Sequence, residues 1–431
     1  TFAEFNPNFL KAPPEVLISE MVEHQKYFPV ADKKGKLKNL FIITADTTPN
    51  NVIRKGNEKV LSARLADGVF LYEQDLETPL EKFNGKLKEM TFQKDLGSML
   101  EKVTRICSHT QKLNALMGIA DQKKALRAAL LCKADLASLL VGEFPDLQGT
   151  VGKYYALAQK EDKEVATAIE EHWMPKGENT HLPKTPCGIL ISLADKLDNL
   201  LGYYSVGLKP TSSSDPYALR RQTIGIIKIL IDGQHTLNLK QILDDCSDVF
   251  PKLKQNPKSK ETVIEEILSF ATNRAKGVFE DYGFKKDEIE ASLQSLCIDP
   301  YDQFCKVKAL HEFRKSGDEF SKLFEVYKRA KGQLAKTELM HFNPSLAHEP
   351  AEKSLAHQLD DLHKHWHETL ADRNYIKAFQ LMAHLQPYLA KLFDTVKILC
   401  DDQALRANRI GLLQKVFSYF EHLLDFSKIQ E

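Results

Sequence analysis

The sequence is poor in the features that usually announce chemistry. Its seven cysteines (Cys107, Cys132, Cys187, Cys246, Cys297, Cys305, Cys400) are scattered, odd in number and form no Cys-x-x-Cys pair. That argues against a disulfide framework and fits reduced, buried thiols in a cytoplasmic protein. An excess of one charge is also lacking: Lys+Arg and Asp+Glu are both 59, a formal net charge of +0. This excludes a highly basic nucleic-acid coat but leaves room for a local basic patch. No apolar run approaches the roughly 18 residues that a membrane span needs, and no signal-peptide pattern stands at the start. The first residue is Thr1, so the chain reads as a piece of a longer product. Gly-x-Ser-x-Gly and the Gly-x-x-x-x-Gly-Lys-[Ser/Thr] phosphate loop are missing, and no cysteine stands beside a paired histidine. There is no internal repeat and no low-complexity tract.

What is present is length, 431 residues with 43% hydrophobic, enough for roughly two to four domains of ~100–200 residues. The chain is organised around Ile189–Ile227. An apolar helix carries Asp195 and Asp198, glycines follow (Gly202, Gly207), and a polar loop runs from Lys209 to Asp215. Asp215-Pro216 then reads as the start of a second helix, because Asp caps orphan amides and Pro has no N–H to lose. That helix carries Arg220 and Arg221. Two carboxylates face a metal question; two arginines near a helix start face a phosphate question.

The fold class expected is mainly α and multidomain. Residues 1–90 read as an α+β segment: helix Glu15–Gln25, β-like runs Lys26–Asp32 and Asn39–Asp46 joined through Gly35, then helix Asn57–Asp75 with an asparagine cap. The polar face of that last helix shows Lys59 and Arg64, either solvated or touching a substrate. Residues 91–237 become almost wholly helical, with helices over Phe92–Met117, Lys123–Phe144 (apolar and expected to be central) and Glu164–Pro175. Residues 238–320 read as a helical connector. Residues 321–431 read as long amphipathic helices with short connections, a bundle of antiparallel neighbours.

His363 and His367 stand at i, i+4, which is zinc-ligand spacing, with His365 between them. Lys364 fills the place of the catalytic Glu of that motif, so a polar helix surface beside Trp366 is the favoured reading. Basic residues cluster on helices at Tyr327–Lys336 (Lys328, Arg329, Lys331) and at Ala404–Leu412, where Arg406 and Arg409, at i, i+3, share a face. Each is read either as a phosphate contact or as an ordinary solvated face or internal ion pair.

Segment Phe92–Gly225 resembles HD-type phosphohydrolases, in which His and Asp from several helices hold an activating metal. The matching positions are Lys133-Ala134-Asp135 and Ala194-Asp195. Ala134 replaces the His of the paired His-Asp, and Lys133 adds a positive charge. His109 and two Asp make a poor metal set. The expectation is no metal, with Asp135 and Asp195 structural, hydrogen-bonded or paired with Lys133 or Lys196.

Seven ordered stretches carry a broader resemblance: HQKYFPV (His24–Val30), GNEKVLSARLADGVF (Gly56–Phe70), FQKDLGSMLEKVTRI (Phe92–Ile106), LCKADL (Leu131–Leu136), EFPDLQGTVGKYYA (Glu143–Ala156), ADKLDNLLGYYSVGLKPTSSSDPYALRR (Ala194–Arg221) and FDTVKILCDDQALRANRIGL (Phe393–Leu412). Together they resemble the bacterial glycyl-tRNA synthetase β-subunit over nearly the whole chain. The resemblance implies a tRNA-binding and positioning part of a glycine–tRNA ligase, with an N-terminal region missing. Residues 91–237 would be a degenerate HD-like domain and 321–431 an anticodon-binding bundle. The partners implied are glycine tRNA and an α subunit, or fused α part, that holds ATP and Mg. This chain has neither set of short adenylation motifs, so no cofactor and no catalytic residue are expected in it. The tRNA-binding candidates are Lys59, Arg64, Arg220, Arg221, Lys328, Arg329, Lys331, Arg406 and Arg409. An active HD-type phosphohydrolase and a helical scaffold docking the catalytic subunit are the alternatives.

Overall fold

The computed structural model describes all residues except 47, 49, 178, 179, 256, 295, 335–337 and 431, and leaves aside the side chains of 254, 255, 257 and 258. Parts of the expected connector 238–320 and of the basic stretch 327–336 therefore lie outside the described residues. The chain divides into two compact units: 1–229 with 241–264, and 230–240 with 265–431. Of the four segments expected from sequence, 1–90 and nearly all of 91–237 fall in the first unit, 321–431 in the second, and 238–320 is divided between the two.

In the first unit, β1 (Phe2–Glu4), β2 (Phe28–Ala31) and β3 (Leu37–Ile42) form an antiparallel sheet of order β1-β3-β2. Gly35 turns the β2–β3 hairpin at φ +80°, a backbone conformation that glycine adopts without a Cβ penalty. Helix α1 (Pro14–Ser19) and α2 (Asn51–Leu76) cover the sheet, and Met21, Phe41, Leu61 and Leu65 close a small core. α2 starts six residues before the expected Asn57. Asn50 is the cap, accepting from the Ile53 amide at 2.9 Å, while Asn57 lies inside the helix and accepts a hydrogen bond from the Tyr27 hydroxyl.

The helix expected from Phe92 begins later. β4 (Thr91–Gln93) and β5 (Gly97–Ser98) pair first, and α3 (Met99–Met117) opens on a capping box of Ser98 and Glu101. The expected helix 123–144 is three pieces: α4 (Gln122–Leu131), a 3₁₀ turn at Ala134–Ala137, and α5 (Leu139–Glu143), capped by Ser138. Asp75 holds that break, accepting from the Leu139 and Leu140 amides at 2.9 Å each and from the Tyr155 hydroxyl at 2.7 Å. α6 (Thr150–Ala158) and α7 (Lys163–Glu171) follow.

The central helix is α8 (Pro186–Ser205), not 123–144: every residue from Cys187 to Tyr204 is buried. Thr185 caps it and Pro186 occupies its first turn. Gly202 lies within this helix rather than breaking it. α9 (Leu219–Asp232) begins three residues beyond the expected Pro216. Asp215 still caps it, its carboxylate accepting from the Leu219 and Arg220 amides at 2.9 Å each. Helices α10 (Leu239–Ser247), α11 (Pro251–Gln255) and α12 (Pro257–Asp281) lead into the second unit.

The second unit holds α13 (Lys286–Leu293), α14 (Pro300–Arg314), α15 (Asp318–Gly332), α16 (Pro350–Ala371), α17 (Tyr375–Ala383), α18 (Gln386–Thr395) and α19 (Gln403–Glu421). Their apolar faces share one core around Trp366, Phe379, Leu413 and Phe420. α13 and α14, expected in the connector, contribute Ala291, Leu310 and Phe313 to it. Residues 375–395 form two helices, α17 and α18, rather than one long one, because Pro387 starts a new helix.

A strap at residues 338–343 crosses α19. Gln414 accepts from the Met340 amide at 2.7 Å and donates to Glu338 O at 2.8 Å, and Asn408 accepts from the Asn343 amide at 2.6 Å. A Cβ at Gly411 would stand 2.8 Å from the His341 carbonyl carbon and the Phe342 nitrogen. Gly411→Ala is therefore expected to destabilise the second unit by about 1–3 kcal/mol, the usual cost of overpacking. Chemical denaturation followed through buried Trp366 checks this, and an unchanged midpoint would refute the close approach.

Candidate functional site

A helix buried on all faces cannot carry charges unless they are paired. α8 carries Asp195, Lys196 and Asp198, and α3 supplies the partners. Asp198, fully buried, receives the Lys102 ammonium at 2.9 Å and two bonds from the Arg105 guanidinium, at 2.7 and 3.2 Å. His109 Nε2 stands 3.4 Å away. Asp195 has one oxygen 2.9 Å from Lys102 Nζ and the other 2.9 Å from Lys133 Nζ. Burial pushes both carboxyls up, but the cations win. The charges of Lys102 and Arg105, with the neutral His109 beside them, hold Asp198, and those of Lys102 and Lys133 hold Asp195, well below the ordinary carboxylate range.

These donors do not fit a divalent metal. Ammonium groups stand where a cation would be ligated, and burial keeps His109 neutral by lowering its pKa. Asp135 is turned to another task. It is fully buried, and one oxygen accepts from the Gly149 amide at 2.6 Å and the Gly152 amide at 3.1 Å. Burial raises its pKa to about 6 against those amides. Among the described residues no group of three or more His, Cys, Asp and Glu is placed to hold a metal ion. The His363 ring meets His367 edge-on at 5.2 Å and lies 3.2 Å from the Tyr419 hydroxyl.

The expected pairing of Asp195 with Lys133 is present; pairing with Lys196 is not. Lys196 donates instead to Met174 O and Ser192 Oγ, at 2.7 Å each. Burial lowers its pKa to about 7. Lys102, Arg105, His172 and Trp173 are not singled out by the sequence. Lys102 and Arg105 look there like solvated helix charges, and only the spacing that carries on from them to His109 hints at one shared face.

The basic candidates differ in exposure and in partners. Lys59, Arg64, Arg221, Lys328, Lys331 and Arg406 are exposed. Lys328 Nζ lies 4.8 Å from the centre of the Phe324 ring. Arg220 donates to Thr211 O and holds the polar loop. Arg329 pairs with Glu325 at 2.6 Å, and Lys331 donates to the Tyr327 hydroxyl at 2.8 Å. Arg409 corrects the expectation that it shares a face with Arg406: it is only 8% exposed, and its guanidinium bonds Glu352 and Lys397 O. At i, i+3 the two straddle the edge of a helix whose inner face is core. α15 and α19 pack through Tyr327, Phe417 and Phe420, so the structure brings Lys328, Arg329 and Lys331 onto the helix beside that of Arg406. Lys59 and Arg64 lie on α2 and Arg221 on α9, in the first unit.

Known proteins match the chain along its length. The family model described as glycyl-tRNA synthetase beta subunit matches residues 1–294, and that of the DALR anticodon binding domain matches 321–430. The glycine–tRNA ligase beta subunits of Syntrophomonas wolfei and Clostridioides difficile are each 37% identical, over 430 and 431 residues. That of Desulforapulum autotrophicum is 39% identical over 436. In each case 99% of this chain is aligned, and it spans 62% of the relative's length. With one family model covering its first 294 residues and relatives of this identity aligned along nearly all of it, the chain belongs to the glycyl-tRNA synthetase beta subunit family.

Proposed function

We propose that this chain is the tRNA-binding and positioning part of a cytoplasmic glycine–tRNA ligase. Adenylation of glycine, with its ATP and Mg, falls to a class II α subunit or a fused α part. The observation that carries this reading is the order of the matches: beta-subunit family first, anticodon-binding domain after it. The exposed cations Lys59, Arg64, Arg221, Lys328 and Arg406 supply phosphate contacts, and Arg406 sits in the first turns of α19 beside the Asp402 cap. Among the described residues no helix is long and apolar enough to cross a membrane. The phosphohydrolase reading has the lysines at Asp195 against it.

Binding of glycine tRNA, read by fluorescence anisotropy, is expected to weaken steeply with salt, because each phosphate contact releases counterions. Arg406→Glu is expected to weaken it about tenfold, since a carboxylate would repel the phosphate that the guanidinium attracts, with no change in melting temperature. No anisotropy change at low salt would remove the RNA-binding claim. Co-purification with the α subunit in that case would point to a docking scaffold. Glycylation by the α subunit with and without the full-length β chain tests the assignment as a whole.

A further inference from the structure

We propose that the first unit carries a binding site for a single nucleotide, in the cavity between the end of α7, the middle of α8 and the start of α9. The phosphate is held by Arg221 and Lys176 and the base lies against Trp173. This goes beyond phosphate-backbone contacts along an RNA, and it stands without them.

The cavity has a volume of about 410 Å³, within the range that small-molecule sites occupy, about 300–1,000 Å³. Its walls combine what a nucleotide needs. Arg221 and Lys176 are exposed at the rim and make no ion pair among the described residues. A guanidinium fork beside an ammonium suits a phosphate monoester. Among the described residues that line the cavity, Asp146 is the one acidic side chain at the rim. At the floor Asp195 is already neutralised by Lys102 and Lys133, and Lys196 adds a further base, so the field there favours an anion.

The aromatic wall is built. The Trp173 ring is fixed by Lys133 Nζ, 3.4 Å from its centroid. It is also fixed by Gly149, where a Cβ would stand 2.4 Å from the indole Cδ1. His172 packs beside it, ring centres 4.7 Å apart. His172 is 0% exposed, and its Nδ1 donates to Ile169 O at 2.6 Å. Its Nε2 is then an acceptor, and it has no hydrogen-bond partner among the described residues; nor has Trp173 Nε1. Burial holds the imidazole neutral. Both nitrogens are closed to solvent, so it is the partly exposed Trp173 ring that meets the ligand. On the far wall Asn199 Nδ2 donates to Gln222 Oε1 at 2.6 Å, while Asn199 Oδ1 is held by Lys102 at 2.7 Å. That wall is rigid before any ligand arrives, which lowers the cost of binding.

The ligand chemistry, one nucleotide, has two sources: a free mononucleotide, or an unpaired residue of a bound RNA. Isothermal titration of the whole chain with AMP, GMP, CMP and UMP, with adenosine and inorganic phosphate as halves, separates the parts. At least one mononucleotide is expected to bind saturably at concentrations up to about 1 mM, and to change the fluorescence of Trp173. Each half alone is expected to bind more weakly. Arg221→Ala with Lys176→Ala is expected to weaken nucleotide binding about tenfold at an unchanged melting temperature, since both residues are exposed. Glycine tRNA that displaces the nucleotide assigns the site to an RNA residue; simultaneous binding assigns it to a free nucleotide, and both results uphold the site. No saturable binding by any of the four nucleotides, or binding indifferent to the double substitution, would overturn it.

Discussion

Asp198→Ala is expected to destabilise the first unit by about 3–5 kcal/mol, the cost of breaking a buried ion pair from one side. Asp198 is fully buried and serves Lys102, Arg105 and His109 together. Without it Lys102 keeps Asp195 and Asn199, but Arg105 is left with Leu96 O at 3.1 Å. A guanidinium charge would then sit beside α8 with no ion-paired carboxylate, only Glu101 one turn away on α3. The chain has two tryptophans, Trp173 in this unit and Trp366 in the other, so urea denaturation read through Trp173 isolates the effect. The pH dependence carries a definite sign. Asp198 and Asp195 have folded pKa values below the ordinary 3.8, so the folded state binds fewer protons than the unfolded one as pH falls. Their stabilisation is complete above about pH 4 and is lost progressively below it. Asp135, raised from 3.8 to about 6, acts oppositely: between those two values its folded form holds the extra proton, so stability falls as pH rises. Acid loss below about pH 4 therefore reports the α8 carboxylates, and it is expected to be shallower in Asp198→Ala. A cost under about 1 kcal/mol at neutral pH, the value of a surface pair, would refute the buried cluster.

How far the sequence carries can be read from the same residues. The helix-rich class, the Gly35 hairpin and the last-unit helices follow from period and turn chemistry, which are local. Element starts depart from expectation for two reasons. Asp215 reaches the Leu219 and Arg220 amides across an intervening turn, and α3 begins only after Ser98, its cap at ordinary spacing, because Thr91–Gln93 and Gly97–Ser98 pair as strands first. The break at Cys132–Ser138 has no local sign because its stabiliser, Asp75, is 64 residues from Leu139. The site shows the same limit. Ala134 in place of a histidine is a one-residue signal, and it points away from metal and toward structure. That lysines from α3 and the 133 turn fill the place needs the fold, since Lys102 and Asp198 are separated by 96 residues. Nor can a helix position alone tell Arg406 from Arg409; the difference is which of them meets Glu352.

That difference has a large expected consequence. Arg409→Met is expected to destabilise the second unit by about 3–5 kcal/mol, while Arg406→Met stays within about 0.5 kcal/mol, as exposed substitutions do. Glu352 is 1% exposed and works at both ends. One oxygen accepts from the His348 and Glu349 amides, at 2.9 and 3.0 Å, closing the cap of α16, and the other receives Arg409 Nε. Arg409 also donates to Lys397 O at 2.9 Å, so it ties the loop before α19 to the start of α16. Removing it strands a buried carboxylate and a carbonyl at once. Adding Glu352→Gln to Arg409→Met is expected to recover part of the loss, because an amide oxygen still serves the two cap amides and carries no charge. Thermal melts followed through Trp366 measure the wild type and all three variants. The RNA readout separates structure from contact: Arg409→Met, assayed below its lowered transition, is expected to keep the affinity for glycine tRNA that Arg406→Glu loses. An Arg409→Met protein that melts like the wild type and binds tRNA more weakly would place Arg409 on the RNA-facing side and break the argument from Glu352.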